Sequence, residues 1–371
     1  MERADLVYRM AFASVRGMNR ALADDLIARL GSEREFFEAS ETRLRYITSS
    51  RSRIYTADYR AARLRDAEAE ERFVASHGIK AIYYTDAEYP ERLADCDDAP
   101  LMLYAVGNTD LNSSRLVAVV GTRHATPYGI DFTNRLVEEL AECTDGVVIV
   151  SGLAYGIDVA AHRAAVRCGL PTVGVLAHGL NTIYPADHRA TAADMVRKGG
   201  MLLTEYITSE PVHKGNFVAR NRIVAGMADC LVVVESADKG GALITANLAA
   251  AYCRDVFAVP GRVTDRYSAG CNRLISANAA TLVRSGADLC DAMGWPLKVA
   301  EVAETSPELP IVMNSQEELI VKFLDANEDA GISQIVAGTG LAVGPLMSTL
   351  IDLEFRGLVL SLPGSRYRKI K

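Results

Sequence analysis

A doubly wound α/β fold, a parallel sheet with helices on both faces, is what the central region of this 371-residue sequence predicts. Three observations carry the prediction. Short apolar runs recur, nearly continuous rather than alternating, as in strands buried on both faces. Helical stretches separate them, the pattern of a parallel sheet built from crossover units. Small, Gly-rich or cationic segments follow several of the runs, at the strand ends where such sheets hold ligands.

Taken in order, residues 1–110 read as an N-terminal helical domain rich in Arg and Glu, closing with the mixed segment "PLMLYAVGN". Within it "VRGMNRALADDLIARLG" (15–31) has the look of a helix-hairpin-helix, with Asn19 where a second turn glycine would stand. Asn tolerates the left-handed conformation such a turn needs, and a purely structural helix pair is the competing reading. The domain 111–295 contains the runs "VAVV" (117–120), "VVIV" (147–150), "TVGVLA" (172–177), "MLLT" (201–204), "CLVVVE" (230–235) and "DVFAV" (255–259). After the first run, Thr126 and Pro127 have the types of an N-cap and a first helical residue, and Phe132, Leu136 and Leu140 mark one helix face. Residues 296–315 are Pro- and Glu-rich, as linkers are. Residues 316–371 read as three helices and a β-hairpin turned at Pro363-Gly364, the plan of a winged helix. Such domains bind duplex DNA or protein, and the sequence does not choose between them.

Composition excludes several classes. There is no apolar run of membrane-spanning length, and "MERADLVYRM" is too polar for a secretory signal. Seven cysteines without a C-x-x-C pair fit reduced thiols, so a cytoplasmic setting without membrane contact is expected. A net charge of −7 argues against non-specific wrapping of duplex, so any nucleic-acid site must be a local basic pocket. The first turn, "GTRHAT", is not G-x-G-x-x-G, and the second strand ends "VIVSG" without an acidic residue, which disfavours a dinucleotide. No P-loop, no G-x-S-x-G elbow and no histidine pair at zinc spacing occurs. The expectation is a binding protein rather than an enzyme, with no cofactor and no metal.

The strand ends hold a different set. Arg123 sits in the first turn, and "SGLAYGID" (151–158) offers Ser151 and Gly152 in a turn whose N–H groups could cradle an anion. "HKGNFVARNRIVAG" (213–226) crowds Lys214, Arg220 and Arg222 around Phe217 and Asn221, and "ESADKGGALITANLAA" (235–250) brings Gly240 and Gly241 before an apolar helix. Several phosphate-type turns with cations and one aromatic ring describe a track for several phosphates with unstacked bases, a single-strand footprint. Each piece has a plainer reading: a tight turn, a solvated helix face, or, for Arg222, a bond holding neighbouring loops.

Together "GTRHATPYG", "SGLAYGIDVAAH", "NFVARNRIVAGM", "ESADKGGALITANLAA", "VPGRV" and "GCNRLI" closely resemble, in order and spacing over roughly residues 100–290, the DNA-processing protein A family (DprA, also called Smf). The resemblance implies a Rossmann-like domain flanked by an N-terminal helical domain (of sterile-alpha-motif or helix-hairpin-helix type) and a winged-helix-like domain. It also implies a cytosolic homodimer that binds single-stranded DNA and loads the RecA recombinase in natural transformation. It assigns the strand to Arg123, Lys214, Phe217, Arg220 and Asn221, with Ser151, Gly152, Gly240 and Gly241 as backbone-lined phosphate turns. Here Phe217-Val218-Ala219-Arg220-Asn221 lacks the proline common in the family's "FP-x-R-N". Two alternatives stay open. One is a phosphoribohydrolase of the lysine-decarboxylase-like group, against which stands Asn247 where a glutamate would shuttle the proton. The other is an interaction adaptor with a vestigial pocket.

Overall fold

A computed structural model describes residues 3–112, 114–298, 313–327, 329–362 and 364–369. Most of the expected linker, and Pro363 of the expected hairpin turn, lie outside these residues. The chain divides after Lys298 into two units.

The first unit is built on a nine-stranded sheet in the order β1-β2-β6-β5-β4-β3-β7-β8-β9. Its strands are β1 Lys80–Tyr83, β2 Met102–Gly107, β3 Arg115–Val120, β4 Val147–Ser151 and β5 Thr172–Val175. The rest are β6 Met201–Thr204, β7 Cys230–Val233, β8 Asp255–Ala258 and β9 Thr281–Leu282. From β6 to β9 every pairing is parallel. The chain runs outward from β3 through β4, β5 and β6, then returns to the other side of β3 with β7. The crevice between β3 and β7 is therefore the topological switch point, where such sheets bind ligands. The six expected runs are all strands, each starting within two residues of its predicted place.

Alternation along β3 explains the two layers, because successive side chains point to opposite faces of a strand. Leu116, Ala118 and Val120 pack with Ile223 and Val224 of helix Lys214–Met227 and Ala246 of helix Gly241–Ala251. Val117 and Val119 face the other way, onto Phe132, Leu136 and Leu140 of helix Pro127–Cys143 and Ala161 of helix Ile157–Cys168. Thr126 is the N-cap expected for the first of these helices, its Oγ1 accepting from the Gly129 N–H at 3.3 Å, with Pro127 the first helical residue.

Residues 80–107, which sequence alone grouped with the N-terminal helices, extend the sheet: β2 pairs antiparallel with β6, and β1 with β2. One face of this edge, Leu103 and Ala105, joins the central core. The other, Met102 and Tyr104, packs on the helices Arg3–Ala13, Arg20–Leu30, Glu33–Glu38, Glu41–Thr48 and Ala57–His77. Asn19 does not adopt the left-handed conformation expected of it. It is an extended N-cap (φ −129°) accepting from the Leu22 N–H, and the positive φ falls on Gly17.

The second unit has helices Ser315–Asp325, Ile332–Thr339 and Val343–Phe355 and the expected hairpin, β11 Val359–Leu362 with β12 Arg366–Lys369. A two-residue strand, β10 Ala330–Gly331, makes the sheet three-stranded. Ile320, Ile335, Leu346, Leu350 and Tyr367 form its core. Among the described residues no single helix is long and apolar enough to cross a membrane.

Candidate nucleic-acid interface

Three segments meet at the switch point: the turn after β3, the first turns of helix Lys214–Met227, and the turn from β7 into helix Gly241–Ala251. They enclose a pocket of about 300 Å³. Of the residues singled out by sequence, Arg123, Phe217, Arg220, Asn221, Gly240 and Gly241 line it. Arg123 is exposed, and its guanidinium carbon stands 5.6 Å from the centre of the Phe217 ring. Phe217 is half-buried and meets Tyr184 edge-on at 5.5 Å. A cation over an aromatic face, open to solvent on one side, offers a base a stacking surface and a phosphate a counter-charge.

The electrostatics of the helix ends decide where an anion can sit. Each helix N-terminus presents unpaired N–H groups and partial positive charge. At helix Pro127–Cys143 that position is taken by the protein itself. The buried Glu235 carboxylate accepts from the Thr126 N–H at 2.9 Å and the Thr126 hydroxyl at 2.5 Å. A Cβ on Gly129 would lie 2.2 Å from Glu235 Oε2, so only glycine fits there. In the turn before helix Ile157–Cys168, whose N-cap Gly156 makes no side-chain bond, Asp158 accepts from the N–H groups of Gly152 at 3.2 Å and Ala154 at 3.4 Å. Helix Gly241–Ala251 starts at Gly240-Gly241, also with no side-chain cap, and it opens on the pocket. Lys214 is exposed at the first position of its helix, where its charge opposes the helix dipole and would be relieved by an anion.

Five expected contacts are placed differently. Ser151 is buried, and its hydroxyl donates to the Val119 carbonyl at 2.6 Å. Gly152 is needed because a Cβ would stand 2.3 Å from Arg220 Nη2, and its N–H is held by Asp158 rather than open to a phosphate. Arg220 lines the pocket but is only 3% exposed; its Nη1 donates to the Gly152 carbonyl at 2.6 Å and to the Val175 carbonyl. Burial pushes the Arg220 guanidinium down from its ordinary value, opposed by Asp158, and burial pushes Asp158 up, opposed by Arg220. Arg222 points away: its Nη2 pairs with Glu205 in a separate cavity of about 410 Å³ between the N-terminal helices and the sheet edge. Two residues apart on a helix, Arg220 and Arg222 cannot share a face. Lys214, exposed at the start of its helix, does not line the pocket.

Sequence reasoning missed Tyr184, Ser236 and Ala237. The last two line the pocket between the β7 end and Gly240. Asp158 was within reach, since an acid in a helix's first turn is a self-neutralising signal. His162 is buried, bonds Thr172 Oγ1 at 2.7 Å through Nδ1, and is lowered to about 3 by burial. It is a neutral structural group. Asn247 is exposed on helix Gly241–Ala251 and does not line the pocket.

Comparison with known proteins shows the family. Residues 80–294 match the family model described as DNA recombination-mediator protein A. Protein Smf of Synechocystis sp. is 33% identical over 315 residues, covering 76% of this chain and 78% of that protein. The crystal structure of DNA processing protein A from Streptococcus pneumoniae superposes with a TM-score of 0.64 at 30% identity, covering 78% of this chain and 98% of that one. A DNA processing protein A from Helicobacter pylori, described for its single-stranded DNA binding mode, has a TM-score of 0.52 at 30% identity. That match covers 58% of this chain and 95% of the other.

Proposed function

This chain belongs to the DNA recombination-mediator protein A family, and on that premise we propose that it binds single-stranded DNA in the switch-point pocket and delivers the strand to a RecA-class recombinase. The observation that carries the reading is the exposed Arg123 guanidinium over the half-buried Phe217 ring, beside a helix terminus, at Gly240-Gly241, that no side chain caps. The pair suits any base, since every base has a π-face, and it gives affinity without sequence preference. The Helicobacter pylori relative, described by its single-stranded DNA binding, supports the same reading.

With no P-loop in its sequence, the protein would position DNA for a partner that hydrolyses nucleotide rather than drive exchange itself. As a homodimer in the cytoplasm it would present two pockets to one strand. A hydrolase reading lacks its acid–base group: Asp158, the carboxylate that lines the pocket, is committed to two backbone N–H groups.

Equilibrium binding to single strand, duplex and mononucleotide tests the proposal. Wild type should prefer single strand, and Arg123→Glu and Lys214→Glu should each weaken it. Each should also flatten the slope of log K against log salt by about 0.7, the share of one phosphate on a single strand. Wild-type affinity and slope in both variants would refute the pocket assignment.

A further inference from the structure

Beside the pocket lies a wider groove of about 940 Å³, bounded by Tyr128 on one side and by Pro260 to Tyr267 on the other. The two share a wall. Consecutive residues of the turn after β3 serve one each: Arg123 stands over Phe217 in the pocket, and His124 stacks on Tyr267 at 6.5 Å and 27°. The Tyr267 ring in turn carries Arg266, whose guanidinium carbon is 5.6 Å from its centre. The cation-on-ring pair of the pocket is thus repeated in the groove.

The seam between them is built from backbone bonds. The Ser236 N–H donates to the Tyr267 carbonyl at 2.7 Å, and the Gly270 N–H donates to the Ser236 carbonyl at 2.9 Å. The segment carrying Tyr267 is therefore tied to the turn that opens helix Gly241–Ala251. Tyr128, 48% exposed, is anchored through its hydroxyl to the Pro260 carbonyl at 2.7 Å. Arg262 and Arg266 are exposed and form no ion pair among the described residues. Of the groove's two acids, Glu235 is bonded to Thr126, which leaves Asp265 against two arginines.

We propose that this groove is a second nucleotide subsite, taking a base against Tyr267 and the adjoining phosphates on Arg262 and Arg266. One strand then runs from the switch-point pocket past the Arg123-His124 turn into the groove. The inference rests on the single-strand reading of the pocket and adds a direction and a second platform to it.

Affinity measured against oligothymidylates of graded length tests it. The double variant Arg262→Glu, Arg266→Glu changes only exposed side chains. It should match wild type on the shortest oligomer that binds, yet gain little from added length where wild type tightens. On long oligomers its salt slope should fall by about 1.4, two phosphates' worth. Tyr267→Ala should weaken long oligomers by roughly 5- to 150-fold, the value of one base stack. A double variant equal to wild type at every length overturns the proposal. An equal loss at every length also overturns it, because that reports a general field rather than a second subsite. Failure of the pocket reading looks different: Arg123→Glu would then bind every length as wild type does, and the subsite would fall with it.

Discussion

Arg220→Ala separates a residue that builds the pocket from those that would touch its ligand. The wild-type guanidinium donates to the carbonyls of Gly152 and Val175, at the ends of β4 and β5, and faces the buried Asp158 carboxylate. Removing it strands that carboxylate and two carbonyls. Leaving two buried carbonyls without their donor costs about 1–3 kcal/mol each, and loss of the neighbouring positive charge adds to this at Asp158, together a fall in melting temperature on the order of 10 °C for a unit of this size. The loss should depend on pH in a defined sense. Burial holds Asp158 above the ordinary carboxyl value, and Arg220 pulls it back down. Without Arg220 its folded-state pKa rises further above the unfolded value of about 3.9. A carboxyl raised on folding binds more protons in the native state, so its contribution to stability is lost as pH climbs through that window. The variant's deficit relative to wild type should therefore be largest near neutrality and shrink on acidification. Urea denaturation at a series of pH values measures it, and adding Asp158→Asn should return part of the loss. A deficit under about 1 kcal/mol at neutral pH, below the cost of leaving buried carbonyls unbonded, or one that grows as pH falls, would refute the argument.

Phe217→Ala should cost single-strand binding about 1–3 kcal/mol while melting close to wild type. Phe132→Ala in the core should instead lose about 3–5 kcal/mol of stability, and if Phe217→Ala loses as much, Phe217 is a packing residue. The first unit alone, ending at Lys298, has its own cores and should stay folded and bind single strand as the full chain does; aggregation on gel filtration would contradict that. In a RecA assay with the cognate recombinase on strands coated by single-strand-binding protein, wild type should shorten the lag before ATP turnover. The Arg123→Glu, Lys214→Glu double variant should not, and equal lags would refute delivery of the strand.

The central sheet was legible in the sequence because each run from "VAVV" to "DVFAV" is apolar nearly throughout, as a strand covered on both faces is. β1 and β2 were not, since they form an antiparallel edge whose two faces meet different cores, and their short mixed sequences resemble the ends of helices. β9, two residues long, carries no periodicity at all. At the site, Arg123 and Phe217 could be read because turn position and residue type suffice for them. Arg220 and Arg222 could not, because "ARNR" gives charge without direction. One guanidinium turns to the carbonyls at the strand ends and the other to Glu205 on the far side of the helix.

Glu235 bears on which cellular anions the crevice admits. A dinucleotide settles in such a fold by laying its pyrophosphate on the amides that open the first helix, and here a carboxylate fixed in the chain already lies on them. An abundant soluble cofactor would have to displace a charge that cannot diffuse away. Rejection of this kind is independent of the cavity's shape. Loops around the crevice are then free to change length or open outward, as binding of a long polymer with two loose ends would require, without readmitting small nucleotides.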